Sequence, residues 1–144
     1  MAEAGIQGES ELPEDARTLL RTSVNTYERL AVLQLLEQEA PRPWTVRELS
    51  ERLQLGAQLV DDALNALHVC GLIGTPAATE GSVYSPADPA MKMAAERLLR
   101  VYRDQPHRII HLLSGYAIER VRTAALRAFA DAFVIGKGKD KDDG

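Results

Sequence analysis

A single cysteine, Cys70, rules out an internal disulfide in this chain of 144 residues. It sits at the end of an apolar helical stretch with no second ligand at metal-site spacing, so it reads as buried filler rather than as a reactive thiol. No uninterrupted apolar run reaches about 18 residues, and the first residues lack a basic, apolar-cored leader. The expectation is a cytoplasmic chain with no membrane partner. Motifs that carry chemistry are missing as well. "GKGKDKDDG" lacks the G-x-x-x-x-G-K-[ST] order that wraps a phosphate, and there is neither a G-x-G-x-x-G after a strand nor a G-x-S-x-G. No Ser, Cys or carboxylate stands at triad-like spacing from His68. His107 and His111 lie at i, i+4, which allows two ligands on one helix face, but no cysteine is near and the Glu of an H-E-x-x-H motif is absent. The sequence therefore predicts a non-enzyme with no catalytic residues, no metal and no cofactor.

What is present is a 45% apolar chain of net charge −4, enough for one domain with a core. The charge is uneven. Glu3, Glu9, Glu11, Glu14 and Asp15 make the first fifteen residues acidic. Between 45 and 85, Arg47 and Arg52 face Glu48, Glu51, Asp61, Asp62 and Glu80. From 88 to 133 the balance reverses, with Lys92, Arg97, Arg100, Arg103, Arg108, Arg120, Arg122 and Arg127 outnumbering their acids. Arg97, Arg100, Arg103 and Arg108 read either as a phosphate-binding rim or as the solvated side of an amphipathic helix.

Start and stop signals divide the chain. Residues 1–12 read as a disordered acidic segment and 136–144 as a disordered tail. Pro13, with acids behind it, opens a first helix. Asn25 and Glu28 resemble a capping box for a second, which "APRPW" stops; Thr45 and Glu48 make a cleaner box for a third, through Leu53. Gly56 allows a tight turn. A helix from about Ala57 to Cys70 turns Val60, Ala63, Leu64 and Leu67 inward and ends at Gly71. "LIGTPAATEGSVYSP" reads as two short strands around a turn. Asp88 and Pro89 then begin a helix whose stripe continues past Pro106, either as one bent helix or as a second helix after an Asp104 cap. A last helix, "AIERVRTAALRAFADAF", repeats the stripe.

The order helix, helix, helix, strand, strand predicts a mainly α fold with a small two-stranded wing. "TVRELSERLQLG…VDDALNALHVCGLI" resembles the winged helix-turn-helix of bacterial transcriptional regulators, with the wing at "GTPAATEGSVYSPAD". With helices on both sides, the arrangement is similar to that of the MarR-like regulators, which dimerise through them. The resemblance implies a winged domain over 13–88 and a helical dimerisation region over 89–135. Met91, Ala94, Leu98, Val101, Ile109, Val121 and Phe129 are the expected interface of a homodimer.

Helical spacing of about 100° per residue places Gln58, Asp62 and Asn65 opposite the core side of the fourth helix, flanked by Leu59 and Asp61. In winged regulators this face enters the major groove. Gln58 and Asn65 could address adenine, but no residue here neutralises a phosphate. The wing adds none: it carries Thr75, Thr79 and Glu80 where the family usually has an Asp and an Arg. Two readings follow. One is a regulatory module that acts mainly through contacts with a protein partner of basic surface, with at most weak DNA binding. The other is a dimeric repressor that binds double-stranded DNA and responds to a ligand.

Overall fold

The computed structural model describes residues 11–143, with side chains described to Phe133. The acidic residues before Glu11 and the side chains of the closing tail, both expected to be disordered, lie outside that set. Leu12, inside the expected disordered segment, is already buried.

Each helix starts on a local signal. α1 (Glu14–Thr22) follows Pro13, which sits at the N-cap and whose carbonyl accepts from Arg17 N at 2.9 Å. α2 (Tyr27–Gln38) is capped by Thr26, whose hydroxyl accepts from Arg29 N at 3.2 Å. The expected Asn25–Glu28 box does not form; Asn25 Oδ1 instead accepts from the Arg29 guanidinium at 2.8 Å. α3 (Val46–Leu53) has the expected capping box between Thr45 and Glu48. The backbone hydrogen bond from Thr45 N to Glu48 holds that carboxyl below its usual range. The turn that follows places its left-handed residue at Gln54, φ 56°, while Gly56 keeps φ −60° as the N-cap of α4 (Ala57–Val69). Gly71, φ 86°, ends α4, and a Cβ there would meet Ala87 Cβ at 3.2 Å.

Two short strands, β1 (Ile73–Gly74) and β2 (Val83–Tyr84), pair antiparallel with Ile73 opposite Tyr84 and Gly74 opposite Val83. Trp44 bridges to Ser82 beside them, with 2.8 Å backbone hydrogen bonds in both directions. α5 (Pro89–Asp104) is capped by Asp88, which accepts from Met91 N at 2.8 Å. The chain breaks at Gln105 (φ −139°, ψ 69°), and Pro106 begins α6 (Pro106–Asp143). There are thus two helices here, with Gln105 rather than Asp104 at the boundary, and the expected separate last helix from Ala117 is a continuation of α6. Pro106 costs nothing there, because a first-turn N–H has no intrahelical partner to lose.

The fold is mainly helical with one small antiparallel sheet, and its core is continuous. α2 is central: Leu30, Ala31, Val32, Leu33, Leu35 and Leu36 are buried on several sides by α3, α4 and β2. α1 packs on α5 and on the start of α6. Ala16, Leu19 and Leu20 there join Ala94, Ala95, Leu98, Leu99, Ile109 and Leu112 in the same core.

That packing corrects the expected dimer interface. Ala94, Leu98 and Ile109 are buried within the chain itself, and Met91 and Val101 are partly buried against the same core. The stripe from Met91 to Leu113 already has a partner in α1, which the sequence periodicity of one helix does not reveal. Val121 and Phe129, on α6 beyond the body, are 70% and 71% exposed. Three of the four expected rim arginines are tied down similarly: on α5 Arg97 pairs with Asp15 at 2.8 Å and Arg103 with Glu37 at 3.2 Å, and on α6 Arg108 pairs with Glu11. These cations orient helices rather than forming a phosphate rim; as surface pairs each is worth at most about 1 kcal/mol.

Tyr84 sits less comfortably. Its hydroxyl is buried with no hydrogen-bond partner among the described residues. Burial, helped by the carboxylates of Glu96 and Glu37, pushes its pKa up to about 12. The folded state therefore holds this proton more tightly than the unfolded chain, whose tyrosines ionise near pH 10. The stabilisation is complete below pH 10 and is lost as the pH rises toward 12. Tyr84→Phe should leave neutral-pH stability unchanged or slightly higher, since it removes an unsatisfied group, and should flatten the pH 10–12 loss; denaturant midpoints across that range measure both. Leu98→Ala should cost about 2–5 kcal/mol by chemical denaturation, because it empties a fully buried site, against under about 0.5 kcal/mol for Val69→Ala on the surface.

Candidate functional site

α4 presents its outer face to solvent because Val60, Ala63, Leu64 and Leu67 hold its inner face on α2 and α3. Gln58, Asp61, Asp62 and Asn65 are all exposed. Val69, 88% exposed, completes the row: Gln58, Asp62, Asn65 and Val69 follow one another at i, i+4, i+7 and i+11. At 1.5 Å per residue the row is about 17 Å long. Leu59, 48% exposed, flanks it on the far side from Asp61.

The polar groups of this row are already engaged with one another. Gln58 Nε2 donates to Asp62 Oδ1 at 2.9 Å, and Asn65 Nδ2 lies 3.4 Å from Asp61 Oδ2. These are the i, i+4 amide–carboxylate pairs that a helix surface favours. The two amides that could read adenine are thus turned toward carboxylates, and each must leave one to meet a base edge. Two of the neighbouring cations are also occupied: Arg47 pairs with Glu51 at 3.6 Å, and Arg42 pairs with Glu48 at 3.2 Å. Arg42 also stacks over the Trp44 ring, 3.6 Å from its centroid.

The segment expected to form a wing is tied to the end of α4. His68 Nε2 and Ser82 Oγ are 3.1 Å apart, joining the last turn of α4 to the strand that Trp44 flanks. Thr75, Thr79 and Glu80 are exposed around the turn, where Thr79 Oγ1 donates to Pro76 O at 3.0 Å and Ala78 takes φ 67°. Gly81 is needed for close approach: a Cβ there would lie 2.7 Å from Trp44 N and 2.9 Å from Pro43 Cβ.

α4 thus brings Gln58, Leu59, Asp61, Asp62 and Asn65 onto one side of the molecule, with Thr75, Thr79 and Glu80, the expected wing residues, on the loop between β1 and β2. Sequence reasoning missed the amide–carboxylate pairing, for which the i, i+4 spacing was the available signal. It also missed the His68–Ser82 link, which joins residues in different elements and leaves no local trace. His107 and His111 are both exposed, and among the described residues no three His, Cys, Asp or Glu side chains come together to hold a metal. Cys70 is half-buried and donates to Leu67 O at 3.4 Å, and desolvation raises its thiol pKa. Among the described residues no helix is long and apolar enough to cross a membrane.

Gly81→Ala should displace the Pro43–Trp44 segment and weaken the Trp44–Ser82 bridge, at a cost of about 1–3 kcal/mol. The corresponding readout is faster amide exchange at Trp44 and Ser82, with the core of α2 still protected. No protein-family model, curated protein or solved structure matches this chain.

Proposed function

We propose that this chain is a non-enzymatic winged-helix regulatory module of bacterial gene control, acting in the cytoplasm mainly through protein contacts made by the outer face of α4. The order of elements from α2 to β2 supports the winged-helix reading. One observation favours protein over DNA: the face that would enter the groove carries Asp61 and Asp62, its amides are paired with those carboxylates, and Val69 stands exposed at its end. Cation–phosphate contacts supply nearly all non-specific DNA affinity. A face without Lys or Arg lacks that contribution. An exposed valine and leucine among acids suit a basic protein surface with an apolar centre, where charge steers the encounter and apolar burial supplies affinity.

A dimeric, ligand-responsive DNA-binding repressor is the second reading, and the exposed amides of Gln58 and Asn65 favour it. It requires both amides to break from their carboxylates. The aspartates would then discriminate against wrong sequences.

Duplex DNA at near-physiological salt should bind with a Kd of about 10⁻⁴ M or weaker and a shallow salt slope. Asp61→Lys with Asp62→Lys should tighten that binding and steepen the slope, while weakening the complex with a basic partner. Stability should fall by no more than about 1 kcal/mol per residue. Anisotropy titrations on mixed-sequence duplexes, beside a randomised-DNA selection, decide the matter. A nanomolar site, or a consensus sequence recovered by the wild type and blurred in the double variant, would establish the repressor instead.

A further inference from the structure

Beyond Tyr116 the described residues leave α6 uncovered, apart from polar ties at Glu119 and Arg120. From Ala117 to Phe133 no residue is buried, yet Ile118, Val121, Leu126, Phe129 and Phe133 expose 60–71% of their surface. At 100° per residue, Val121, Ala132, Ala125, Ile118 and Phe129 fall within an arc of about 80°. Arg120, Arg127 and Asp131 lie on the opposite side. Phe129 and Phe133 alone carry roughly 200–350 Å² of accessible apolar surface, at 150–250 Å² per buried ring. The aliphatic side chains and the alanines between them bring the face to the order of the ~800 Å² per partner that a specific dimer buries. A monomer rarely leaves a patch of that size in water.

We infer that a second copy of this chain covers the face, with the two α6 helices antiparallel and crossing at Ala125. The spacing of large and small residues carries the assignment. A two-fold axis at Ala125 sets Ile118 opposite the partner's Ala132, Val121 opposite the partner's Phe129, and Phe133 opposite the partner's Ala117. Each large side chain meets a smaller one, and the smallest contact falls where the helix axes are closest. A parallel pair would instead stack Phe129 on its own copy and bring the two Arg122 guanidinium groups together. In the antiparallel pair Arg122 lies along the partner's Ala128, with its stem on the apolar seam and its head in water.

The body of the protein offers a second reason. Ala117 is shared between the exposed stripe and an open groove of about 540 Å³ between α6 and the start of α2, lined by Tyr27, Ile110, Leu113 and Arg120. A copy crossing at Ala125 delivers its Phe133 to the mouth of that groove, about 24 Å along α6 from its own Ala117. The groove and the stripe thus form one continuous surface, self-complementary under one rotation. The near end of the exposed segment is anchored to the body, since Glu119 pairs with Arg21 of α1 at 2.8 Å.

The test uses the full chain and is independent of α4 and of DNA. Light scattering at tens of micromolar should give twice the monomer mass of 15.8 kDa. Ala125→Arg should return the mass to that of the monomer, with helicity by circular dichroism retained. In a Cys70→Ala background, Ala125→Cys should form a disulfide-linked dimer under mild oxidation, because residues on a two-fold crossing fall within disulfide reach. Arg127→Cys, on the far side, should not. A monomeric wild type, a dimer that survives Ala125→Arg, or cross-linking through 127 in preference to 125 would overturn the assignment.

Discussion

The structure depends on α2. Its apolar side chains point in nearly every direction, so the helix is stable only when other elements surround it. α3 and α4 cover one side and β2 another, and this wrapping determines which way α4 must face. Once Val60, Ala63, Leu64 and Leu67 are committed to α2 and its neighbours, Gln58, Asp62, Asn65 and Val69 have only solvent left. The chemistry of the exposed face is therefore a consequence of how α2 is buried.

α1 has the same role for the C-terminal half. By lying across α5 and the first turns of α6, it converts two amphipathic helices into part of one core. Ion pairs from α5 and α6 back to Glu11, Asp15 and Glu37 give that packing its orientation while contributing little energy. The boundary between internal and external apolar surface falls at Tyr116. Before it, α6 is a core helix; after it, the same periodicity continues with no apolar partner among the described residues.

The proposed interaction face of α4 and the stripe of α6 are thus separate surfaces with different chemistry. The first is acidic with isolated apolar groups, suited to a charged partner met in solution. The second is a nearly continuous apolar seam, suited to permanent burial.

Much of the fold was legible in the sequence, because the signals that begin and end helices are local. The Thr45–Glu48 box, the Asp88–Pro89 start and the Gly71 stop depend on residues within a turn of one another. The inward face of α4 follows from spacing alone. Local rules also account for the small misplacements: Thr26 competes with Asn25 as a cap and Gln105 with Asp104, one residue apart, and backbone geometry decides between them. The candidate face was legible in composition, since its residues and charges follow from helical phase. Only tertiary structure decided what each apolar stripe meets. Periodicity shows that Leu98 and Phe129 both need covering, but it carries no information about whether the cover is α1 or lies outside the chain. Burial is a property of pairs of surfaces distant in sequence, and it separates these two residues completely: Leu98 has no exposed surface, and Phe129 keeps 71% of its own.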